Sequence, residues 1–208
     1  MVYYFNKGGP LMWVLLGLLV VGIVIAIVKF IILMLASINS EKFLNKILSL
    51  LKANKVEDAL KICEKTRGPV SAVFHAGISR LDKGLEAAER AMENAAAIEV
   101  AFLESGLIWL STIVSVAPMI GFLGTVQGMI VAFEQIARSN DIIPSEVAGG
   151  ISTALLTTFG GLTVAIPLQI IYNYFVQRID KMVVDTEDSA NNLVESLLEM
   201  KLIKKEAE

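Results

Sequence analysis

Three long apolar stretches alternate along the chain with segments in which apolar and polar residues recur at helical spacing. The apolar stretches cover residues 11–38, 106–137 and 146–177. Each is longer than the roughly 20 residues that a helix needs to cross a bilayer. The first also exceeds the apolar part of a signal peptide, about 7–15 residues, and lacks a small-residue cleavage site after it. The pattern predicts three transmembrane helices, the first an uncleaved anchor.

The remaining segments predict further helices. Residues 39–105, the first loop, contain three short patterns: SEKFLNKILSLL with Ser40 as its N-cap, VEDALKICEK, and PVSAVFHAGISRL beginning at Pro69. From Leu85 the sequence LEAAERAMENAAAIEVAFLES has no helix breaker and predicts one long helix that continues into the second span. Its alanines permit either close packing against neighbouring chains or an ordinary amphipathic helix. Residues 178–208 predict a helical tail.

Basic residues are distributed unevenly between the two sides of the predicted membrane. The first loop contains ten lysines and arginines and the tail five, whereas residues 1–10 contain only Lys7 and residues 138–145 only Arg138. Because basic residues accumulate in cytoplasmic segments, the N-terminal segment and the short loop at 138–145 are predicted to lie outside. The first loop and the tail are predicted to lie in the cytoplasm. Lys29, near the inner end of the first span, is expected to extend its ammonium group to the membrane interface.

Composition agrees with a membrane protein and excludes several other classes. The chain is 55% hydrophobic and 19% charged, with a mean hydropathy of +0.65; a soluble domain is about 25% charged. The predicted fold is therefore all-α, with three transmembrane helices and long helices that extend into a helical cytoplasmic domain. A net charge of −3 argues against nucleic-acid binding. Cys63 and His75 are single residues of their kinds, so a metal site is not expected. No catalytic set or cofactor motif is recognisable, and an enzyme is not expected.

The second and third spans form a predicted antiparallel hairpin, joined by RSNDIIP, with an unusual content of glycine and proline. The sequences are VAPMIGFLGTVQGMIVA in the second span and AGGISTALLTTFGGLTVAIP in the third. Small residues allow helices to approach closely in a membrane, and prolines release backbone carbonyls. The residues predicted to serve packing and bending are Pro118, Gly121, Gly124, Gly128, Gly160, Gly161 and Pro167. The glycines are expected to be surfaces of close approach between helices.

Threonines lie at the middle of both spans. Thr125 precedes Arg138 by thirteen residues, and Thr158 follows Ser145 by thirteen, so both are about 20 Å from the connecting turn. Thr153 and Thr157 lie on the same helix as Thr158. These hydroxyls either serve tight helix packing or line a polar pathway. Because Asp, Glu, Lys, Arg and His are missing from the deep part of both spans, a proton path would need a titrating group from another chain.

The central sequences of the second and third spans resemble those of a known family. The stretch APMIGFLGTVQGMIVAF, followed by GGISTALLTTFGGLTVAIP, is similar to the MotA/TolQ/ExbB proton-channel family. The layout of three spans with a large first cytoplasmic loop resembles its ExbB and TolQ members, ExbB most of all, and differs from the four spans of MotA. The resemblance is specific over spans two and three; elsewhere it concerns layout and length.

The resemblance implies partners and a place in the cell. It implies a homopentamer around a dimer of single-span ExbD-type subunits, each of which brings an aspartate to a pore lined by Thr125 and Thr158. In such an assembly, the glycines of the second span are expected to bring neighbouring subunits and this central partner helix close. It also implies a bacterial inner membrane, with proton passage driving a motion that a TonB-type protein carries to outer-membrane transport. Thr153 stands where these proteins have a glutamate, in GISTALL instead of GIAEALL. A TolQ-like or gliding motor, a self-sufficient channel and a passive scaffold are the alternatives.

Overall fold

A computed structural model describes residues 2–139 and 144–206, with side chains for residues 5–138 and 147–199. The described chain is helical throughout its regular elements. In order along the chain these are α1 Val2–Lys7, α2 Pro10–Ala36, α3 Ser40–Lys52, α4 Val56–Lys65, α5 Pro69–Ile78, a short 3₁₀ helix Leu81–Lys83, α6 Leu85–Glu104, α7 Leu107–Ser139 and α8 Pro144–Glu206. Three of the helical stretches are long and apolar enough to cross a membrane. The all-α membrane fold predicted from the sequence is confirmed.

The chain divides into two compact units. The span unit consists of Met1–Lys29 and Gly106–Tyr174, and the loop unit of Phe30–Ser105 and Phe175–Glu208. The predicted turn at 138–145 begins and ends in described helix, but its central residues, 140–143, lie outside the described residues. Glu146, for which the sequence favours a structural role over proton collection near the outer entrance, also has its side chain outside them.

The loop unit has an apolar core built by its short helices. Ile47 from α3, Ala59 from α4, Val73 and Phe74 from α5 and Leu193 from α8 are fully buried there. The N-cap of α3 is Asn39 and not Ser40, because the Asn39 side-chain oxygen accepts a hydrogen bond of 3.0 Å from the Lys42 amide. Pro69 occupies the first turn of α5, as predicted.

The prediction of one unbroken helix from Leu85 into the second span is wrong at two residues. α6 ends at Glu104 and α7 begins at Leu107. Ser105 leaves the helical region with ψ of 137°, and Gly106 has a φ of +82° that favours glycine. The Ser105 hydroxyl donates to the Phe102 carbonyl at 2.6 Å, which completes the end of α6. A lone glycine in an apolar sequence is compatible with a continuous helix, so the break has no strong sequence signal.

Lys29 lies in more protein than its sequence suggests. Its side chain is only 3% exposed, so it is buried among protein atoms, and the extension of its ammonium group to a membrane interface stays a prediction. Burial of an ammonium group costs free energy unless polar groups surround it. The apolar sequence around Lys29 predicted the helix correctly but could not show which of its faces packs against the rest of the chain.

A substitution at Gly68 tests the close packing of this residue against Ala36 in the loop unit. Its φ is +124°, and a Cβ at this position would collide with the Ala36 carbonyl oxygen. Gly84 has a similar φ of +103°, but a Cβ there would meet nothing within 4 Å. We expect Gly68→Ala to lower the melting temperature of the purified protein clearly more than Gly84→Ala, because both variants carry backbone strain of about 1–3 kcal/mol but only one adds a clash. Equal decreases would show that the Ala36 contact is unimportant.

The Cys63 thiol is expected to react very slowly with alkylating reagents in the folded protein. Cys63 is buried in the core of the loop unit, and burial raises the pKa of its thiol to about 11 from a usual 9.0. Two pKa units reduce the thiolate fraction at pH 8 about 100-fold. Alkylation by iodoacetamide at pH 8 should therefore be far slower in the folded protein than in urea. Equal alkylation rates in the two states would contradict the buried position.

Candidate functional site

The hairpin of α7 and α8 is held together by close backbone contact. A Cβ on Gly161 would lie 2.6 Å from the Ala117 carbonyl oxygen and 3.1 Å from the Gly121 Cα. A Cβ on Gly121 would lie 2.9 Å from the Thr157 carbonyl oxygen and 3.1 Å from the Thr158 Cα. Real Cβ atoms do not approach backbone this closely, so only glycine fits at both positions.

The same contact continues toward the loop end of the hairpin, the end at Ser139 and Pro144. A Cβ on Gly124 would collide with the Thr157 side chain, and one on Gly128 would lie 2.9 Å from the Gly150 carbonyl oxygen. The three glycines of α7 therefore face α8 of the same chain. This differs from the expectation that they face neighbouring subunits or a partner helix. Glycine spacing in a sequence shows that a close approach exists, but not which helix makes it.

The hairpin brings Thr125 and Thr158 into direct contact. Their hydroxyl oxygens share a short hydrogen bond. The Thr125 oxygen also lies 3.2 Å from the Ala154 carbonyl oxygen, and the Thr158 oxygen lies 3.1 Å from the Gly121 carbonyl oxygen. Thr125 is fourteen residues from the end of α7, and Thr158 is fourteen residues from the start of α8. The matching depth that residue counting predicts is confirmed by this contact.

The pair has more acceptors than protons. Thr125 and Thr158 have one hydroxyl proton each, but four hydrogen bonds are within reach: from Thr125 to the Ala154 and Gly121 carbonyls, from Thr158 to the Gly121 carbonyl, and between the two hydroxyls. Only two can be donated at one time, so rotation of either hydroxyl exchanges one arrangement for another. Both side chains are half-buried. The pair can donate a hydrogen bond to an approaching anion, or accept a hydrogen bond from an approaching acid, without change of charge.

Thr157 and Thr153 occupy different surroundings from the pair. Thr157 is 1% exposed, and its hydroxyl donates to the Ala154 carbonyl at 2.8 Å. Thr153 is half-buried and turned toward the N-terminal segment, where its hydroxyl lies 3.1 Å from the Lys7 carbonyl oxygen. The four threonines predicted to line a pathway therefore divide into a contacting pair, a buried residue and a residue beside the N-terminal segment. Their role in a pathway stays a prediction.

The other face of α8 packs against α2 within the span unit. A Cβ on Gly160 would lie 2.9 Å from the Met12 sulfur, and one on Gly22 would lie 2.6 Å from a Leu168 methyl group. Helix α7 continues through Pro118 and α8 through Pro167, so neither proline ends its helix. Whether they bend the helices at one level stays a prediction.

Sequence reasoning missed two contributors to the site. The first is the Ala154 carbonyl, which accepts hydrogen bonds from both Thr125 and Thr157. A backbone acceptor has no side-chain signal. The second is the N-terminal segment before α2, which contacts Thr153 through the Lys7 carbonyl. The dipeptide Gly8-Gly9, with Gly9 at a φ of +75°, is a signal for a turn that could have indicated it.

Comparison with known proteins matches this chain to one family. A sequence profile of the MotA/TolQ/ExbB proton channel family matches residues 65–188. An ExbB homologue of Methanothermobacter thermautotrophicus is 29% identical over 177 residues, which cover 85% of this chain and 63% of that protein. The Tol-Pal system protein TolQ of Pseudomonas aeruginosa is 36% identical over 55% of this chain and 54% of its own. The biopolymer transport protein ExbB of Aquifex aeolicus is 36% identical over 41% and 57%. The chain thus spans between half and two thirds of these curated relatives.

Proposed function

Because this chain belongs to the MotA/TolQ/ExbB proton channel family, we propose that it is the multi-span subunit of an ExbB-like proton-driven motor. The observation that carries the proposal is the contact between Thr125 and Thr158. It places two hydroxyls at the middle of a hairpin whose sequence has no ionisable residue between Glu104 and Glu134. A polar pair at this depth is costly in a lipid-facing helix and is typical of a functional position.

The titrating group belongs to a partner in this proposal. A single-span ExbD-type subunit brings an aspartate to the hydroxyl pair. When the carboxyl is ionised, the Thr125 and Thr158 hydroxyls donate to it. When it is protonated, it donates to a hydroxyl oxygen or to the Gly121 or Ala154 carbonyl, which both lie in hydrogen-bonding reach of the pair. The pair therefore accommodates both protonation states, while the proton itself stays on the carboxyl group.

The assembly follows from the same premise. Five copies of this chain surround a dimer of the single-span subunit in the inner membrane, with the N-terminus outside and the tail in the cytoplasm. A TonB-type protein carries the resulting motion to outer-membrane transport. Support comes from relatives named ExbB and from the three-span layout. The TolQ relative supports the second candidate, a motor of the Tol-Pal type. Both candidates use the same hydroxyl pair.

Reconstitution tests this proposal directly. The chain is placed in liposomes alone and together with its co-purified single-span partner, and proton uptake is followed under an imposed potential. We expect uptake only with the partner, and its loss when the partner's intramembrane aspartate is changed to asparagine. Uptake by this chain alone would favour a self-sufficient channel. Uptake that survives the aspartate change would contradict the assignment of the titrating group.

A further inference from the structure

A cleft of about 430 Å³ lies inside the span unit, between the N-terminal segment and the loop end of the hairpin. One wall is the chain from Gly8 to Leu11. The other wall is formed by α7 and α8. Gln135 and Gly149 lie nearest the loop end, and Gly124 and Thr157 lie farthest from it, at what we call the floor of the cleft. We name this space the N-terminal cleft. Because no helix of the described residues fills it, the cleft leads from the loop end into the depth of the span unit.

Polar side chains line this cleft at successive depths. Gln135 is four residues from the end of α7 at Ser139, Thr153 is nine residues from the start of α8, and Gln127 is twelve residues from Ser139. At a rise of 1.5 Å per residue these positions lie about 6, 14 and 18 Å from the helix ends. The lining thus contains an amide, a hydroxyl and a second amide at increasing distance from the loop end.

Gln127 indicates what fills the cleft. Its side chain is exposed, and within the described chain its amide has no hydrogen-bond partner. A primary amide has two donor hydrogens and two acceptor lone pairs, and leaving them against hydrocarbon is unfavourable. An acyl chain cannot satisfy these groups, but water can. The volume is many times the roughly 30 Å³ that one water molecule occupies in the liquid.

The floor of the cleft lies next to the hydroxyl pair. Thr157, at the floor, donates to the Ala154 carbonyl at 2.8 Å, and Thr125 lies 3.2 Å from the same carbonyl oxygen. A single carbonyl group therefore separates the cleft from the Thr125–Thr158 contact. The two walls of the cleft are also joined by a hydrogen bond, since the Thr153 hydroxyl of α8 donates to the Lys7 carbonyl of the N-terminal segment at 3.1 Å.

We propose that the N-terminal cleft holds water and is the route by which hydrated protons pass from the loop end to the vicinity of Thr125 and Thr158. This inference rests on the proposed function, and it places the access route within a single chain. The N-terminal segment is then a wall of the conducting path and not only an anchor. Gln127 and Thr153 stabilise the water by hydrogen bonds, and the partner's carboxyl group receives the proton beside the hydroxyl pair.

Thiol labelling tests whether the cleft is wet. In a Cys63→Ala background, the variants Thr153→Cys and Gln127→Cys place a thiol in the cleft. The variants Leu155→Cys and Val126→Cys are controls at matching depth, on apolar positions that are 63% and 42% exposed. A membrane-impermeant methanethiosulfonate is added to the assembled complex from the loop side. We expect the cleft positions to react at least about 10-fold faster, because the reactive thiolate forms only in contact with water.

A second variant tests whether the wet cleft conducts. Gly149 lines the cleft and has open space at its Cβ position, as does Gly17 on α2, outside the cleft. Gly149→Leu should fill part of the cleft and reduce partner-dependent proton uptake several-fold, with slower labelling of Gln127→Cys. Gly17→Leu should change neither.

The outcomes separate the inference from the proposed function. Equal labelling rates at cleft and control positions would overturn the water-filled cleft. Preferential labelling of the cleft together with unchanged uptake by Gly149→Leu would overturn its role as the route. Absence of partner-dependent uptake in the unmodified complex would contradict the proposed function and with it the route. The labelling contrast would still establish the water-filled cleft on its own.

Discussion

Thr158→Val is expected to reduce partner-dependent proton uptake by between about 10-fold and 150-fold. Valine keeps the shape of the side chain but removes the hydroxyl that contacts Thr125 and the Gly121 carbonyl. A hydrogen bond to a charged group contributes about 1.5–3 kcal/mol, which corresponds to this range of rates if the bond stabilises the ionised carboxyl of the partner. Thr125→Val should have a similar effect, because the two hydroxyls act on the same group. Uptake is measured in liposomes under an imposed potential.

Thr163→Val is the matched control for the hydroxyl. Thr163 lies on the same helix, five residues after Thr158, but it is exposed and its hydroxyl donates only to the Phe159 carbonyl at 2.7 Å. Proton uptake by the Thr163→Val complex should equal that of the unmodified complex. The mass of each purified complex shows whether the assembly is retained. Normal uptake by both Thr158→Val and Thr125→Val would leave only a packing role for the pair and would favour the passive scaffold.

Gly161→Ala is expected to destabilise the hairpin by about 1–3 kcal/mol, the usual cost of adding atoms to a packed interior. The new methyl group would meet the Ala117 carbonyl oxygen and the Gly121 Cα, which both belong to α7. Both are backbone atoms, so the two helices would have to separate. Separation would also break the contact between Thr125 and Thr158, and proton uptake should fall with stability. Unfolding is followed by circular dichroism in detergent micelles with increasing dodecyl sulfate.

Gly17→Ala controls for the intrinsic effect of alanine. Gly17 lies on α2, and its Cβ position is open. Alanine stabilises a helix in water by up to about 1 kcal/mol relative to glycine, so this variant should be neutral or slightly more stable. The same gain applies at position 161, where it is outweighed by the collision. If the two variants unfold alike, the helices are not in the close contact described.

The sequence was sufficient to predict the features that depend on local patterns. Apolar length predicted the spans, and counting residues from the connecting turn predicted that Thr125 and Thr158 lie at equal depth. Both predictions depend on the regular rise of a helix, which changes little with context. The glycine- and threonine-containing sequences at the centres of the two hairpin spans also identified the family correctly.

The remaining features depend on which surfaces meet in three dimensions. The positive φ of Gly106 ends α6, although glycine in an apolar sequence is compatible with an unbroken helix. Thr157 resembles Thr158 in sequence, but one step along a helix turns a side chain by about 100° and buries Thr157 between the helices. The burial of Lys29 likewise depends on its neighbours. The periodic pattern of apolar and polar residues in the sequence does not predict these contacts.

The close glycine contacts of the hairpin have a consequence for the biogenesis of the protein. Gly121, Gly124 and Gly128 are all matched by α8 of the same chain, so this contact requires no other subunit. The hairpin can therefore close while the chain is being inserted, before any partner is synthesised. Large apolar side chains, among them Phe122, Val126 and Phe159, are left on its exposed surface. A newly inserted chain would thus present these side chains to lipid with its hairpin already closed.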